Sequence, residues 1–276
     1  MMADSLTYAL LPSRALISVS GPEWRDFLHN LLTQDVETIA PGEARFAALL
    51  TPQGRLLYDL FVVAGEEGCW LDVAAERRDA ILQRLMMYRL RAKVDLAASD
   101  VQVSALFGGT AQPGFVADPR LPDLGARGYG AEPPASARVA DETVYEAHRL
   151  ALGVPGPADW GSDRNYPIEA NFDLLNGIDF HKGCFVGQET TSRMKRRGTV
   201  KNRMLPITFE GPAPAPEAEV LAGELRAGEV LSGTDGRAMA LLRLDRIEGQ
   251  DLTVDGRAVR VERPQWFEAA LKAAAA

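Results

Sequence analysis

The residues best equipped for chemistry lie in one short run, Lys182-Gly183-Cys184-Phe185-Val186-Gly187-Gln188-Glu189. It sets an ammonium, a thiol, an amide and a carboxylate around two glycines. Those glycines permit turns and backbone contacts that a Cβ would block. A thiol on such a turn is either exposed and reactive or buried as a small hydrophobe. Arg193, Lys195, Arg196, Arg197, Lys201 and Arg203 follow closely, and no acidic residue lies between Thr190 and Phe209. This basic run reads as a solvated loop or as a surface for carboxylates, phosphates or RNA.

The rest of the chain removes several chemistries. Three histidines (His29, His148, His181) and two cysteines (Cys69, Cys184) cannot supply a four-thiolate site, and paired zinc-ligand spacings are absent, so no metal site is expected. There is no glycine-rich phosphate loop, no GxSxG elbow and no HExxH pair. A thiol–imidazole pair requires one of the histidines to fold onto Cys184. The two cysteines form no CxxC motif, which fits a reducing compartment. With 276 residues, 46% of them hydrophobic, the chain suits two domains or one large composite unit. Its net charge of −8 opposes nucleic acid and anionic membranes, so neither is expected as a direct partner. Met1 to Leu11 lacks a basic region of the secretory type, and the chain is expected to be cytoplasmic.

The elements that must position these groups are legible in part. Residues 14–19 read as a strand, and Ser20 with Glu23 reads as a capping box opening a helix that buries Trp24, Phe27, Leu28, Leu31 and Leu32. Strands are predicted at 44–50, 56–64 and 69–74, the last two joined by a turn at Glu66-Glu67-Gly68. A helix over 76–91 is predicted to turn Leu82, Leu85, Met86 and Leu90 inward, giving an α+β layer. Residues 108–134 read as a surface connection with a weak strand at 114–117, and Asp141 as the cap of a helix over 142–152. The stretch 153–203 has little periodicity and many aromatics, which marks a functional loop region. Beyond Pro206, segments at 218–221, 228–232, 237–244, 251–254 and 257–262 predict a small all-β barrel or sandwich, with an alanine-rich helix or frayed tail after it.

Carboxylates, an amide and basic groups on aromatic-rich loops suit a flat polar heterocycle with an anionic tail. One carboxylate can accept both the ring N–H and the exocyclic amine of a pterin, and Glu169 is placed to be tested in that role. Here the motifs become specific. The run at 182–189 resembles the K-G-C-[YF]-x-G-Q-E motif of the YgfZ-type folate-binding proteins, in the superfamily of the aminomethyltransferase of glycine cleavage. FLHNLLTQDV at 27–36, TPQGRLLYDL at 51–60, YRLRAKVDL at 88–96, PIEANFD at 167–173 and GIDFHKGCFVGQETTSRMKRRGTV at 177–200 extend the likeness over nearly the whole chain.

The resemblance implies an α+β, aminomethyltransferase-like folate-binding fold. Two intertwined subdomains over 1–204, one ferredoxin-like, would join a C-terminal antiparallel β-barrel over 205–276 around a folate-sized opening. It implies tetrahydrofolate or a derivative as cofactor, with iron–sulfur assembly proteins or client iron–sulfur enzymes as partners, radical-SAM tRNA-modifying enzymes among them. Cys184 would be the functional thiol, made more acidic by Lys182 and the basic run. Glu169, Asn171, Tyr58, Asp59, Arg55, Gln188, Lys182 and Arg193 would hold the folate. The aminomethyltransferase has a paired Asp where this chain has Tyr58 before Asp59, which favours an accessory role over one-carbon transfer, the alternative.

Overall fold

Turn-forming glycines and alternating apolar runs divide the chain into three sheets. The computed structural model describes residues 6–110, 112–161, 163–198 and 200–275. Met1–Ser5 of the N-terminal reading, the Arg197 side chain of the basic run and Ala276 of the tail lie outside the described residues. The first elements are β1 (Thr7–Leu10), β2 (Arg14–Ser20), α1 (Trp24–Leu31), β3 (Ala44–Leu50), β4 (Leu56–Ala64) and β5 (Gly68–Ala74). They continue through α2 (Arg78–Arg89), β6 (Asp95–Ser99), β7 (Val103–Phe107), β8 (Phe115–Ala117), β9 (Ala126–Tyr129), β10 (Arg138–Ala140) and α3 (Glu142–Ala151). Next come α4 (Gln188–Arg197), β11 (Asn202–Thr208), β12 (Glu219–Ala222), β13 (Leu225–Thr234) and β14 (Arg237–Arg243). The single turn α5 (Leu244–Ile247), β15 (Leu252–Val254), β16 (Arg257–Val261) and α6 (Gln265–Ala275) complete the described chain.

One sheet is antiparallel in the order β3-β4-β5-β2-β6. Strand alternation sends Ile17, Val19, Leu60, Val62, Leu71 and Val73 to one face, where the buried sides of α1 and α2 cover them. The path β2-α1-β3-β4-β5-α2-β6 is ferredoxin-like with one added strand. Within α1, Trp24, Phe27, Leu28 and Leu31 are buried at helical spacing. The capping box does not form. Gly21 turns with φ +102°, and Glu23 instead accepts a hydrogen bond from the Lys93 N–H at 2.9 Å. In α2, Ile81 and Leu85 hold the inward stripe, while Met86 is 48% and Leu90 87% exposed, against the predicted pattern. Met86 lies one helical step off that stripe, and the helix ends before Leu90, which has φ 44°.

A second sheet, in the order β10-β1-β7-β9-β8, is antiparallel except for the parallel pair β1–β10. Its inner residues Ala9, Ala105 and Phe107 pack with Tyr145 of α3. The third sheet is a closed barrel, β11-β14-β13-β12-β15-β16, sealed where Ile207 pairs with Val261. Its sixth strand, β11, was not among the predicted segments, because Pro206 interrupts the strand pattern there. The free face of the first sheet (Phe46, Phe61, Val63) meets Trp160, Phe172, Phe185 and the barrel residues Met204 and Met239 in one continuous core. Within 153–187, Trp160, Ile168, Phe172, Ile178 and Phe185 are thus packed in this core, while stretches between them reach the surface.

Candidate functional site

The thiol loop is pinned at each inward side chain. Lys182 reaches the C-terminal end of α1, where its Nζ donates to the carbonyls of His29 (2.5 Å), Leu32 (2.7 Å) and Gln34 (3.1 Å). Those carbonyls lie beyond the helix's own bonding pattern and favour a cation. Phe185 is buried in the core shared with the barrel, and Val186 packs against the core under α1 and α2. Gly187, with φ +81°, caps α4, and a Cβ there would stand 2.6 Å from the Thr51 carbonyl oxygen. Gly54, with φ +83°, faces it, so the turns 51–55 and 183–187 touch backbone to backbone. Gln188 Nε2 donates to the Gly183 carbonyl at 3.3 Å and closes the loop. With its neighbours turned inward, Cys184 is left exposed.

Lys182 thus has a different task from the one predicted. Its ammonium serves main-chain carbonyls rather than the thiol or a ligand. Burial pushes it down to about 8, against the pull of Asp35, Asp179 and Glu37. The basic run is also redrawn. Residues 188–197 form α4, not a loop. Arg193 pairs along the helix with Glu189, and Lys195 lies 5.2 Å from the Phe180 ring centroid. Arg203 leaves the surface: it is 3% exposed and bound to Asp173 and to the Ile168 carbonyl. Among the described residues Cys184 makes no hydrogen bond, so no thiol–imidazole pair is formed. His148 Nε2 contacts the Asp123 carbonyl oxygen at 2.8 Å, and His181 is exposed. His29 is buried in the last turn of α1, its Nδ1 3.1 Å from Asp35 Oδ1.

The residues named for folate do not share one cavity. Arg55 lies over the Tyr166 ring (4.0 Å) and donates to the Arg164 carbonyl. Beside it, Glu169 is half-buried, held by the Tyr166 N–H at 2.9 Å and by Asn202 Nδ2 at 3.0 Å. Asn171 is fully buried with φ 62°, and its amide donates to the Met204 carbonyl and accepts from Arg203, so it serves the chain's own packing. Tyr58 packs toward the helical face of its sheet, and Asp59 points to the opposite face, where Arg14 Nη1 donates to it at 2.9 Å. Two cavities of about 30 Å³ each flank Asp59, and neither is lined by Glu169, Arg55, Gln188, Lys182 or Arg193. Each has room for about one water. A pocket that takes a drug-sized ligand has on the order of 300 Å³ or more.

What fills the centre is a layer of buried ion pairs that the sequence did not disclose. Asp72 accepts from Arg14 Nε and Arg127 Nη2, both at 2.7 Å. Asp118 accepts from Arg120 at 2.7 Å, and Arg149 pairs with Glu146 and Asp159. The Phe61 ring lies among the guanidiniums of Arg127 (4.2 Å), Arg120 (4.9 Å) and Arg14 (5.6 Å). Burial alone would raise the Asp72 carboxyl; Arg127 and Arg14 overcome it and hold the group below its ordinary value. Arg120 does the same for Asp118. Asp159 goes the other way, raised by burial. Tyr145 and Arg149, four apart, share the buried face of α3 and bring its side of the layer inward.

With this geometry in view, the likenesses to known proteins take on meaning. Residues 201–269 match the family of the CAF17 C-terminal beta-barrel domain. The whole fold is similar to the glycine cleavage system aminomethyltransferase T from Bartonella henselae, with a TM-score of 0.76 over 95% of this chain and 86% of that one, at 17% identity. The fold is therefore aminomethyltransferase-like. The chain is 33% identical to the mitochondrial iron-sulfur cluster assembly factor IBA57 homolog of Neurospora crassa over 80% of its own length and 58% of that protein's. It is 30% identical to the mitochondrial human IBA57, over 87% of this chain and 78% of the human one. It spans 58% of the length of the Neurospora crassa relative and 63% of that of the Phaeosphaeria nodorum relative. These relatives are mitochondrial, which overturns the expectation of a cytoplasmic protein. On the extent of these matches, the chain belongs to the IBA57 family of iron-sulfur cluster assembly factors.

Proposed function

We propose that the chain is an accessory factor in the maturation of iron–sulfur proteins, and that Cys184 is the group it presents to them. The observation that carries this reading is the contrast within the loop: Lys182, Phe185 and Val186 are anchored inward while the thiol between them is exposed. A thiolate is the ordinary protein ligand of iron in sulfide clusters. A fixed, outward thiol is suited to meet a cluster on another protein. The kinship with IBA57 supports the same reading. Its partners would be cluster-assembly proteins and client enzymes, with the radical-SAM tRNA-modifying enzymes as the clients that the thiol-loop motif suggests. The test is complementation of a strain lacking this protein, with client-enzyme activity measured. Cys184→Ser and Cys184→Ala are expected to lose support while accumulating as folded protein. Full support from both variants overturns the reading.

Tetrahydrofolate binding is a second reading, and one observation favours it. Glu169 is a half-buried carboxylate fixed by two N–H donors beside the Arg55–Tyr166 stack, and the lone pairs left on its oxygens suit the N–H donors of a pterin edge. The two small cavities at Asp59 do not suit a folate and Glu169 lines neither, so a pterin read by Glu169 would lie outside them. Titration with tetrahydrofolate decides it: binding that Glu169→Gln abolishes supports it, and no binding removes it. Aminomethyl transfer has less support, because Asp59 is engaged by Arg14 and Tyr58 offers no second carboxylate.

A further inference from the structure

The outer face of α2 turns apolar where a solvated helix stays polar. Asp79, Gln83, Met86, Met87 and Leu90 are all exposed and follow one another at helical spacing. Met86 is 48%, Met87 67% and Leu90 87% exposed, so three of the six large apolar side chains exposed among the described residues fall within five positions. Leu90 departs furthest from what folding alone selects. Its φ of 44° is one that a bulky residue takes only with strain, and its side chain gains no burial in return. Strained, solvated apolar residues gather where another molecule binds. Around this end stand Arg84, Arg89, Arg91 and Lys93, and no acidic residue lies between Asp79 and Asp95. Among the described residues none of these four cations is paired with a carboxylate; Arg89 donates to the Val94 carbonyl at 3.3 Å. At the start of the same helix the pattern is the ordinary one: Arg77 pairs with Glu76 and Arg78 with Asp79. In a chain of net charge −8, four neighbouring unpaired cations make a basic collar around an apolar ridge.

We propose that the C-terminal half of α2 docks an acidic amphipathic helix of a partner protein. Met86, Met87 and Leu90 form a ridge of the kind that a second helix receives between its own side chains. The partner's apolar stripe covers that ridge, and carboxylates along its borders meet Arg84, Arg89, Arg91 and Lys93. The two methionines, unbranched and polarisable, adapt to the side chains they meet. A bilayer fits less well, because no aromatic residue is exposed on α2 and the net charge opposes anionic lipid. The surface is separate from the thiol loop. The turn after α2 meets the start of α1, where a Cβ on Gly21 would stand 2.4 Å from the Lys93 carbonyl oxygen, whereas Lys182 holds the opposite end of α1. The inference therefore does not rest on the reading of Cys184.

Fluorescence anisotropy of the full chain with a labelled helical peptide, one leucine stripe bordered by glutamates, tests the proposal. A control peptide carries lysines in place of the glutamates. Expected is binding of the glutamate peptide that weakens as salt rises, and none of the lysine peptide. Met87→Glu and Leu90→Glu should each weaken it by about tenfold or more. On binding, the methyl NMR signals of Met86 and Met87 should shift while those of the buried Met204 and Met239 stay in place. Leu90→Gly should weaken binding yet raise the denaturant midpoint, since glycine takes the positive φ freely; a leucine needed only for folding would lower it. No binding of the glutamate peptide, equal binding of both peptides, or binding unchanged in Met87→Glu and Leu90→Glu overturns the proposal. If phosphatidylserine vesicles, or a second copy of the chain in sedimentation, engage this face while the glutamate peptide does not, the occupant is wrong and the proposal falls. Cys184→Ser should bind the peptide as the unaltered chain does, so failure here and failure of the thiol reading are told apart.

Discussion

The central ion-pair layer and the thiol loop are both rich in charge, yet they are opposite solutions. At the centre, Arg14, Arg120, Arg127 and Arg149 are each matched to buried carboxylates, and little space is left. At the loop, the inward groups are bonded, and among the described residues the outward thiol has no hydrogen-bond partner. Saturated charge in a closed layer holds a structure together. An unsatisfied nucleophile on an immobilised turn is available to another molecule. The comparison teaches that charge density is a poor guide to reactivity here: the most heavily charged layer is the one whose groups are already paired.

If that division is right, stability and client support must separate between the two regions. The largest effect on stability is expected from Asp72→Ala, which leaves Arg14 and Arg127 buried without their shared partner. Breaking such a pair costs about 3–5 kcal/mol, read as a lower midpoint in denaturant. Normal stability for this variant would break the comparison from the structural side. Gly187→Ala comes next. It places a Cβ 2.6 Å from the Thr51 oxygen at φ +81° and should cost more than about 1 kcal/mol. Lys182→Met should cost about 1–2 kcal/mol by uncapping the end of α1, and hydrogen exchange should show the loop loosening. Cys184→Ser should shift stability by less than about 0.5 kcal/mol while client support is lost.

Acid sharpens the same contrast. Asp72 and Asp118 are held below the ordinary carboxylate value when folded. Their contribution is therefore fully present above the unfolded value of about 3.9 and is lost as the pH falls through the lower folded values. Denaturant midpoints measured across that range should drop steeply in the unaltered chain and less steeply in Asp72→Asn. Cys184→Ser should follow the unaltered curve.

The parts legible in the sequence were those with local period. The strands at 44–50 and 56–64 and the buried face of α1 follow directly from alternation and helical spacing. The thiol loop was legible as a motif, because its residue types are rare together. α4 was not, since Gln188–Arg197 has almost no apolar stripe; it is held by the Gly187 cap and by Met194 against the core. The central layer was invisible for a different reason. Its arginines come from β2, β9, α3 and the turn after β8, and no spacing along a chain reports a meeting of four distant segments. Lys182 was misread because a lysine beside a cysteine suggests chemistry, whereas the end of α1 that it serves lies far away in sequence.

The contact of Gly54 with Gly187 has a consequence for how such a chain can change over time. Neither position can take a side chain alone, because each would press on the other's backbone or on Thr190 and Thr51. The two turns are therefore bound to drift together or not at all. A lineage that remodels the hairpin carrying Asp59 must also re-seat the loop carrying Cys184. The inherited barrel-and-sheet frame and the thiol mounted on it make up a single heritable unit.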